Sequence, residues 1–390
     1  MIKLKEVNFR EEFVLLRANL NVPLQKGKIS DDKRLKALLP TINYILKEGA
    51  KQIIIIGHLG RPDGRVVEDL RLNPVAERLS ELLNIKIKKL DDCIGIRIPN
   101  EKDSKIIMLE NLRFHEGEEA NDDLFARKLA VYGNVYVNEA FADSAKAHAS
   151  IVGIPKLIPS CAGFQFEEEV KNLTLENIKR PAVAILGGAK VSDKIELIEN
   201  LLKKVDVIII GGAMSFTFFK AMGFEVGKSK YEYDKIEVAK KILENYKKKI
   251  ALPVDIKVAD KISEDANIKN VDVTDIKKED IGVDIGEQTI NSYKEILALA
   301  KTIIWNGPLG ICEIENFAKG TESIAKFISG LKAKTIVGGG DTGAVITKLG
   351  LENKMTFVST AGGAAIEFLE GKILPGIEAL EYSEKKFLKK

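Results

Sequence analysis

Two lysines, Lys190 and Lys194, lie four residues apart in the segment GGAKVSDK, which follows the apolar run AVAIL. If a helix begins in this segment, both ammonium groups share one face, near free backbone N–H groups and the positive end of the helix dipole. Such an arrangement binds anions. The alternative is a pair of solvated surface lysines, although the preceding strand and the double glycine count against it.

A glycine-rich segment, GGGDTG at residues 338–343, also follows an apolar run. It fits the G-x-G-x-x-G pattern of dinucleotide-binding dehydrogenases. However, little chain follows for a second dinucleotide half, and the charge of Asp341 would face a pyrophosphate. A bound Mg²⁺ removes that conflict, because a hard cation accepts carboxylate and phosphate oxygens together. A tight turn without a ligand is the remaining alternative.

A third glycine-rich segment, STAGGA, contains Gly362 and Gly363 where a helix is predicted to begin. Backbone amides of adjacent glycines can approach a ligand closely, so this pair is suited to contacts with a transferring phosphoryl group.

Basic and amide side chains follow the apolar runs of the first half of the chain. They lie in RANLNVP, GHLGRP, ENLRFHEG and NEAFADSAKAH, which include all three histidines. A single strand-end arginine is most often a surface ion pair, but four such loops on one sheet edge indicate a shared basic surface. Arginine forks suit carboxylate and phosphate groups. The residues concerned are Arg17, Asn19, Asn21, His58, Arg61, Arg113, His115, Lys146 and His148.

Other motifs of catalysis and metal binding do not fit the sequence. GFEVGKS, residues 223–229, has three residues between its glycines where a P-loop needs four, and Glu225 would repel a phosphate. No Ser–His–Asp order or Cys–His spacing indicates covalent catalysis. No H-E-x-x-H or C-x-x-C pattern indicates structural zinc. The three cysteines are too few and too scattered for a disulfide framework.

Nine short apolar runs must position these loops. Near-continuous β-branched strands are typical of a parallel sheet buried on both faces, and helical patterns lie between them. One is the apolar stripe of Ile198, Leu201, Leu202 and Val205. This alternation predicts an α/β fold of two doubly wound, Rossmann-like parallel-sheet domains joined by a helical hinge. Parallel sheets bind ligands beyond the carboxyl ends of their strands, so we expect one anionic ligand on each domain. The runs are EEFVLL, QIIII, KIIML, NVYV, AVAIL, DVIII, KTIIW, KTIV and TFV.

Composition narrows the functional class further. The chain has 390 residues, of which 45% are hydrophobic and 30% charged, and its net charge of +3 is too even to indicate nucleic-acid binding. No apolar run approaches the ~20 residues of a membrane span. The first residues, MIKLKEVNF, lack a secretory pattern, so we expect a cytoplasmic protein.

Nine segments, in order along the chain, closely resemble signatures of the phosphoglycerate kinase family. The resemblance runs nearly the whole chain. It implies a monomeric two-domain kinase with Mg²⁺ as cofactor. Such an enzyme transfers a phosphoryl group between ATP and the carboxylate of 3-phosphoglycerate, with ADP and 1,3-bisphosphoglycerate on the other side, after hinge closure. The segments are RANLNVP, GHLGRP, ENLRFHEGEE, AHASIVGIP, AILGGAKVSDKI, LPVDIKVADK, IIWNGPLGICEIENFAKGT, VGGGDTGA and STAGGAAIEFLEGKILPGIEAL.

The resemblance also implies a division of the chain into four parts. Residues 1–165 are expected to bind phosphoglycerate, 166–176 to form the connecting helix, and 177–371 to bind the nucleotide. Residues 372–390 are expected to return to the first domain.

Roles of individual residues are likewise implied by the resemblance. The catalytic residues are Arg34, Lys194, Gly362 and Gly363, and Asp341 is the residue associated with Mg²⁺. No general base is needed, because the attacking carboxylate is already ionised. The phosphoglycerate-binding residues are Asn19, Asn21, Arg34, His58, Arg61, Arg113, Lys146 and His148. The nucleotide-binding residues are Lys190, Lys194, Gly211, Gly212, Asn306, Glu313, Gly338, Gly339, Gly340, Asp341 and Thr342.

Three departures from the family pattern affect this expectation. Asn19 replaces an aspartate, Ala145 and Lys146 replace a His–Arg pair, and Ala361 replaces one glycine of a Gly-Gly-Gly run. Lysine keeps the charge of arginine but loses its two-pronged fork. We therefore expect weaker phosphoglycerate binding, or an altered pose, rather than a lost reaction. A non-catalytic phosphoglycerate- or nucleotide-binding paralogue remains the alternative.

Overall fold

All nine predicted apolar runs form strands of two parallel sheets in the computed structural model, which describes residues 1–100 and 102–388. Residue 101, in the predicted first domain, and residues 389–390, at the end of the predicted tail, lie outside the described chain. Two compact units are present: unit 1 is Met1–Lys171 together with the chain from Ile373 onward, and unit 2 is Asn172–Lys372.

Unit 1 is built on a six-stranded parallel sheet. The strands of unit 1, including two that lie outside this sheet, are β1 (Phe13–Arg17), β2 (Leu24–Gln25), β3 (Lys28–Ile29), β4 (Gln52–Ile56), β5 (Ile87–Lys89), β6 (Ile106–Met108), β7 (Val135–Asn138) and β8 (Ser160–Ala162). The sheet order is β5-β6-β4-β1-β7-β8, and β2 and β3 form a separate antiparallel hairpin. The helices are α1 (Lys33–Lys47), α2 (Asn73–Leu83), α3 (Glu116–Glu119), α4 (Asp123–Ala130) and α5 (Phe164–Leu173).

Unit 2 contains a second six-stranded parallel sheet and a three-stranded antiparallel sheet. Its strands are β9 (Ala182–Leu186), β10 (Val207–Ile210), β11 (Ile250–Ala251), β12 (Asp255–Ala259), β13 (Ile268–Asp272), β14 (Ile281–Ile285), β15 (Thr302–Asn306), β16 (Lys334–Gly338) and β17 (Phe357–Val358). The parallel order is β11-β10-β9-β15-β16-β17, and the antiparallel order is β13-β12-β14. The helices are α6 (Ile195–Lys204), α7 (Met214–Ala221), α8 (Ile236–Tyr246), α9 (Glu287–Ala298), α10 (Lys319–Ile328), α11 (Gly340–Lys348) and α12 (Gly363–Leu369).

The last helix, α13 (Pro375–Ser383), belongs to unit 1, although it follows unit 2 in the chain. It packs against β8 and against a π-helical turn at Ala149–Gly153. At its start, the N–H of Gly376 donates to the carbonyl of Ser144 over 2.9 Å. A Cβ at position 376 would lie 2.4 Å from the Ser144 hydroxyl oxygen, so only glycine fits this contact.

Each unit has its own apolar core. Every residue of β4 and of β9 is buried, because helices cover both faces of the two parallel sheets. The predicted stripe on α6 faces the core, with Ile198, Leu201 and Leu202 buried. Among residues 1–100 and 102–388, no helix combines the length and apolar character that a membrane crossing requires.

Candidate active site

The carboxyl ends of β1, β4, β6 and β7 carry the predicted basic residues of unit 1, because parallel strands end at one edge of their sheet. Arg34 lies in the first turn of α1, and its guanidinium donates to the backbone carbonyl of Asn21. The Asn21 side-chain oxygen accepts from the N–H of Gly60 over 3.0 Å. These bonds connect the loop after β1 with the loop after β4.

The predicted residues of this edge differ in burial. Asn19, His58 and His148 are buried, Asn21, Arg34 and Arg113 are half-buried, and Arg61 and Lys146 are exposed. The structure therefore places all eight in the loops and first turns at the carboxyl edge of one sheet. Two of the cations, Arg61 and Lys146, point their charge toward solvent.

A buried ionic network supports this edge from beneath. Arg17, at the end of β1, is fully buried, and its Nη2 lies 3.0 Å from the Asp143 carboxylate and 3.2 Å from His58 Nδ1. Its Nε donates to the Ser150 hydroxyl over 2.9 Å. Ser150 in turn donates to the Glu118 carboxylate over 2.6 Å. The network fixes His58 from below and ties three loops together.

Burial sets the protonation of the two histidines. It lowers the pKa of His58 to about 3, despite the opposing attraction of Asp143. Burial, with the charges of Arg113 and Arg17, lowers the pKa of His148 to about 4. Both rings are therefore neutral at physiological pH, and each can donate one hydrogen bond. His148 Nδ1 is buried and has no hydrogen-bond partner within the described residues.

Arg113 completes this edge of unit 1. Its Nη1 donates to the carbonyl of Gly60 over 3.0 Å, and its Nε lies 3.3 Å from the carboxylate of Glu119. Burial lowers the pKa of its guanidinium from the ordinary value. Because the guanidinium pKa is so high, the group remains a cation and contributes positive charge beside His148.

In unit 2, adjacent strands β10, β9, β15 and β16 end in glycine-containing turns that let backbone segments approach closely. Gly212 has φ +66°, and a Cβ there would lie 2.6 Å from the backbone nitrogen of Gly188. Gly307 has φ +93°, and a Cβ there would lie 2.3 Å from the carbonyl oxygen of Gly187. Larger residues would separate these strand ends, so the glycines are needed to form the floor of the site.

Lys194 lies above this floor and is almost fully buried. Its ammonium donates to the side-chain oxygen of Asn306, the last residue of β15. Burial lowers the pKa of Lys194, against the attraction of Asp193, Glu370 and Asp341. Within residues 1–100 and 102–388, no carboxylate is close enough to form a salt bridge with this ammonium. The protein thus buries a cation whose direct partner is a neutral amide.

The predicted glycine loop GGGDTG opens α11 beside this lysine. The Nδ2 of Asn306 is buried and has no hydrogen-bond partner among the described residues, and a Cβ at Gly339 would lie 3.1 Å from it. The Thr342 hydroxyl accepts from the N–H of Gly307 over 2.8 Å. Asp341 is exposed. These contacts bring Lys194, Asn306, Gly338, Gly339, Gly340, Asp341 and Thr342 into one cluster.

A cavity of about 310 Å³ lies next to this cluster. Its walls include the predicted residues Gly212, Glu313 and Asp341. Its apolar part is formed by α7, by the antiparallel strands β12 and β14, and by the loop after β15. Gly211 lies behind the wall, where a Cβ would meet Leu309. The cavity is large enough for a flat heterocyclic ring, and its lining also includes charged residues.

The predicted arrangement of Lys190 and Lys194 on one helical face is wrong. A 3₁₀ turn at Ser192–Lys194 precedes α6, so Lys190 lies in the preceding loop and is exposed while Lys194 is buried. Two of the N–H groups of this segment are also occupied, because the carboxylate of Glu232 accepts from the amides of Val191 and Ser192 over 2.6 and 2.9 Å.

Gly362 and Gly363 lie at the start of α12, which packs against α6. Gly362 has φ +56°, and a Cβ at either glycine would have open space around it. Gly363 is exposed and Gly362 is half-buried, so the pair lies near the surface of unit 2. Lys194 directly precedes α6, the helix against which α12 packs, but its hydrogen bond goes to Asn306 rather than to either glycine.

Some functional groups could not be found from sequence motifs. The apolar cavity wall, with Phe216, Ile256 and Leu309, has no recognisable pattern beyond being apolar. Asp143 follows β7 in a loop that also contains basic residues, and no motif marks it. Only the fold shows that it lies beside Arg17 and His58.

The strand ends define an α/β protein of the doubly wound class, with cationic side chains at the strand ends of unit 1, and with Lys194, glycine-rich turns and a heterocycle-sized cavity in unit 2. A family model described as phosphoglycerate kinase matches residues 4–372. The chain belongs to the phosphoglycerate kinase family, a family of phosphotransferases.

Individual relatives agree with this assignment. A phosphoglycerate kinase of Dictyoglomus turgidum is 49% identical, covering 98% of each chain. One of Chloroherpeton thalassium is 47% identical over 96% of this chain and 98% of its own. The solved structure from Coxiella burnetii has 40% identity and a TM-score of 0.89, covering 97% of this chain and 98% of its own. The one from Pyrococcus horikoshii has 33% identity and a TM-score of 0.86, covering 99% and 100%. These matches favour the kinase over the dehydrogenase interpretation of residues 338–343.

Proposed function

We propose that this chain catalyses reversible phosphoryl transfer between ATP and the carboxylate of 3-phosphoglycerate. The observation that carries the proposal is the buried ammonium of Lys194, which has the neutral Asn306 as its direct partner. Burying a cation without a carboxylate partner costs free energy, and a polyanionic ligand offsets that cost. Family membership supports the same reaction and does not favour a non-catalytic binding protein.

In unit 1, the proposed ligand is phosphoglycerate. Its phosphate and carboxylate suit Arg34, Arg61 and Arg113, because guanidinium forks match both groups. The neutral imidazoles of His58 and His148 would donate single hydrogen bonds to the substrate. The buried Nδ1 of His148, which lacks a partner in the described chain, is consistent with a ligand there. Asn19, Asn21 and Lys146 are assigned to the same ligand.

In unit 2, the proposed ligand is the nucleotide. The base would enter the cavity of about 310 Å³, with Glu313 at its rim and Gly211 and Gly212 forming part of the wall region. The phosphates would lie toward Lys190, Lys194, Asn306 and the start of α11. The free Nδ2 of Asn306 is a further donor for a phosphate oxygen.

Magnesium fits the groups around Asp341. This carboxylate is exposed, lines the cavity, and has no ion-pair partner among residues 1–100 and 102–388. Mg²⁺ prefers one or two carboxylates together with phosphate oxygens and water. When bound, the ion would neutralise negative charge on the nucleotide phosphates.

Phosphoryl transfer leaves the protein mainly the tasks of positioning and charge stabilisation. We assign Arg34 and Lys194 to the equatorial oxygens of the transferring group. The amides of Gly362 and Gly363 would stabilise developing charge without reorganisation. The departures at Asn19, Lys146 and Ala361 affect binding contacts rather than these tasks, so we expect weaker phosphoglycerate binding and a retained reaction.

The two substrates are assigned to different units, so transfer requires that the units bring their ligands together after binding. Small-angle scattering tests this step: both ligands together should reduce the radius of gyration, and an unchanged radius would contradict it. We further propose that the protein works as a cytoplasmic monomer. Sedimentation at working concentration tests the oligomeric state.

A coupled assay of ATP consumption tests the reaction itself. ADP formation should require 3-phosphoglycerate and Mg²⁺, and it should stop when the metal is chelated. Isothermal titration calorimetry measures the binding of each ligand separately, for comparison with turnover. Binding of both ligands without turnover would identify a sensor rather than an enzyme.

A further inference from the structure

Three side chains of different chemical type meet at the carboxyl ends of β5 and β6. Asp92 and Cys93 lie in the loop after β5, and His115 follows the short 3₁₀ turn after β6. A carboxylate oxygen of Asp92, the sulfur of Cys93 and a ring nitrogen of His115 all lie within 4.8 Å of one another. Asp92 Oδ1 and His115 Nε2 lie 2.7 Å apart. The parallel pairing of β5 with β6 brings these loops together.

The three groups are arranged from the surface inward. Cys93 is fully buried, whereas the side chains of Asp92 and His115 are 47% and 31% exposed. A cation can therefore reach the oxygen and nitrogen from solvent and meet the sulfur on the inner side. The ring of His115 is also held in place, since it packs against Phe125 at a centroid distance of 5.6 Å.

We propose that Asp92, Cys93 and His115 form a binding site for a zinc-class divalent cation. Sulfur, imidazole nitrogen and carboxylate oxygen are the three ligand types of zinc, whereas magnesium prefers oxygen alone. Three protein ligands leave the fourth position to water, on the exposed side. Coordination replaces the proton of the Cys93 thiol by the metal and releases that proton to solvent.

The present separations are close to those of such a site. Bonds of about 2.0–2.3 Å in a tetrahedron place ligand atoms about 3.3–3.7 Å apart. The Asp92–His115 pair must open by about 0.6–1.0 Å, and any pair near the 4.8 Å limit must close by about 1.1–1.5 Å. Shifts of this size are within reach of side-chain rotation for the two partly exposed residues. The strand-end loops need not unfold.

Cobalt(II) added to the full-length protein tests the site, because a cobalt–thiolate bond gives a charge-transfer band in the near ultraviolet. The unsubstituted protein should show this band, and added zinc should remove it. Cys93→Ser should abolish it. Cys161→Ser and Cys312→Ser are the matched controls, and both should retain the band, since neither cysteine lies in this cluster.

His115→Asn serves as a second variant. The side chain of His115 is partly exposed, so we expect the substituted protein to fold. It should weaken zinc binding in isothermal titration by at least about tenfold, as loss of a ligand or its support does elsewhere. No cobalt–thiolate band in the unsubstituted protein, or a band that survives Cys93→Ser, would overturn the proposal. The readouts are spectroscopic and calorimetric, so they stand apart from kinase activity.

Discussion

Replacing Lys194 by alanine removes the buried ammonium that donates to Asn306. If this group contacts the transferring phosphoryl oxygens, its loss removes one preorganised donor from a site shielded from water. Such a loss costs about 3 kcal/mol of transition-state stabilisation, which corresponds to a fall in kcat of about a hundredfold or more. The coupled assay at saturating ATP and 3-phosphoglycerate measures kcat directly.

The stability of Lys194→Ala, in contrast to its kcat, should not fall. Burial lowers the pKa of Lys194, which means that the fold holds this ammonium against a desolvation cost. The melting temperature of Lys194→Ala should therefore equal or exceed that of the unsubstituted protein. Lys203→Ala, at an exposed position on the helix α6 that follows Lys194, is the control, and it should alter neither quantity.

Two results would refute this reasoning about Lys194. Near-normal kcat in Lys194→Ala would show that the ammonium does not act on the transferring group. A low kcat accompanied by a lowered melting temperature would indicate a structural role instead. Lys194→Arg separates charge from position: partial recovery of kcat would show that charge at this point is what the reaction needs.

Three further substitutions test other parts of the structure. Asp143→Ala leaves the fully buried Arg17 without its carboxylate partner and should destabilise unit 1 by about 3 kcal/mol; faster hydrogen exchange of the β1 amides measures this, and unchanged exchange would contradict it. Burial raises the pKa of Glu139 from 4.5 to about 7. The protonated carboxyl group therefore contributes fully to the free energy of unfolding below pH 4.5, and this contribution is lost as the pH rises through 7. The free energy of unfolding of Glu139→Gln should therefore rise by up to about 3 kcal/mol relative to that of the unsubstituted protein between about pH 5 and about pH 8. Melting temperatures across this range measure the difference, and a difference that does not depend on pH would contradict the raised pKa. Gly212→Ala and Gly223→Ala carry the same positive-φ strain, but only at Gly212 would the new Cβ meet backbone, so ATP binding by calorimetry should fall in the first variant alone.

The parallel sheets could be predicted closely from the sequence. QIIII and AVAIL match β4 and β9 residue for residue, because a strand buried on both faces must be apolar throughout. The antiparallel sheet could not be predicted in the same way. Most of β13 is exposed, and its residues Ile268–Asp272 alternate no more clearly than a loop does. Its pairing with β12 is a tertiary contact that short-range pattern does not encode.

The loops of the candidate site could be predicted where a motif is local, whereas groups that only the fold brings together could not. Glycine-rich loops at strand ends are recognisable in the sequence, and Asn306, Asp341 and Thr342 do lie at neighbouring strand ends in the structure. The prediction from the spacing of Lys190 and Lys194 was wrong. Residues four apart share a face only when both lie inside an α-helix, and these two lysines precede α6. Asp92 and His115 are far apart in the sequence, and no spacing motif connects them before β5 and β6 pair.

The return of α13 to unit 1 has a consequence for the order of events on the ribosome. The N–H of Gly376 donates to the carbonyl of Ser144, the neighbour of Asp143, which contacts Arg17 and His58. The loops at the carboxyl edge of the unit 1 sheet therefore lack this support until α13 is made. Translation must first pass through the whole of unit 2, residues 172–372, which takes on the order of 10–40 s at typical elongation rates. Of the two units, the one whose synthesis begins earlier is thus completed later, and a nascent chain stalled before Pro375 would contain a complete unit 2 and an incomplete unit 1.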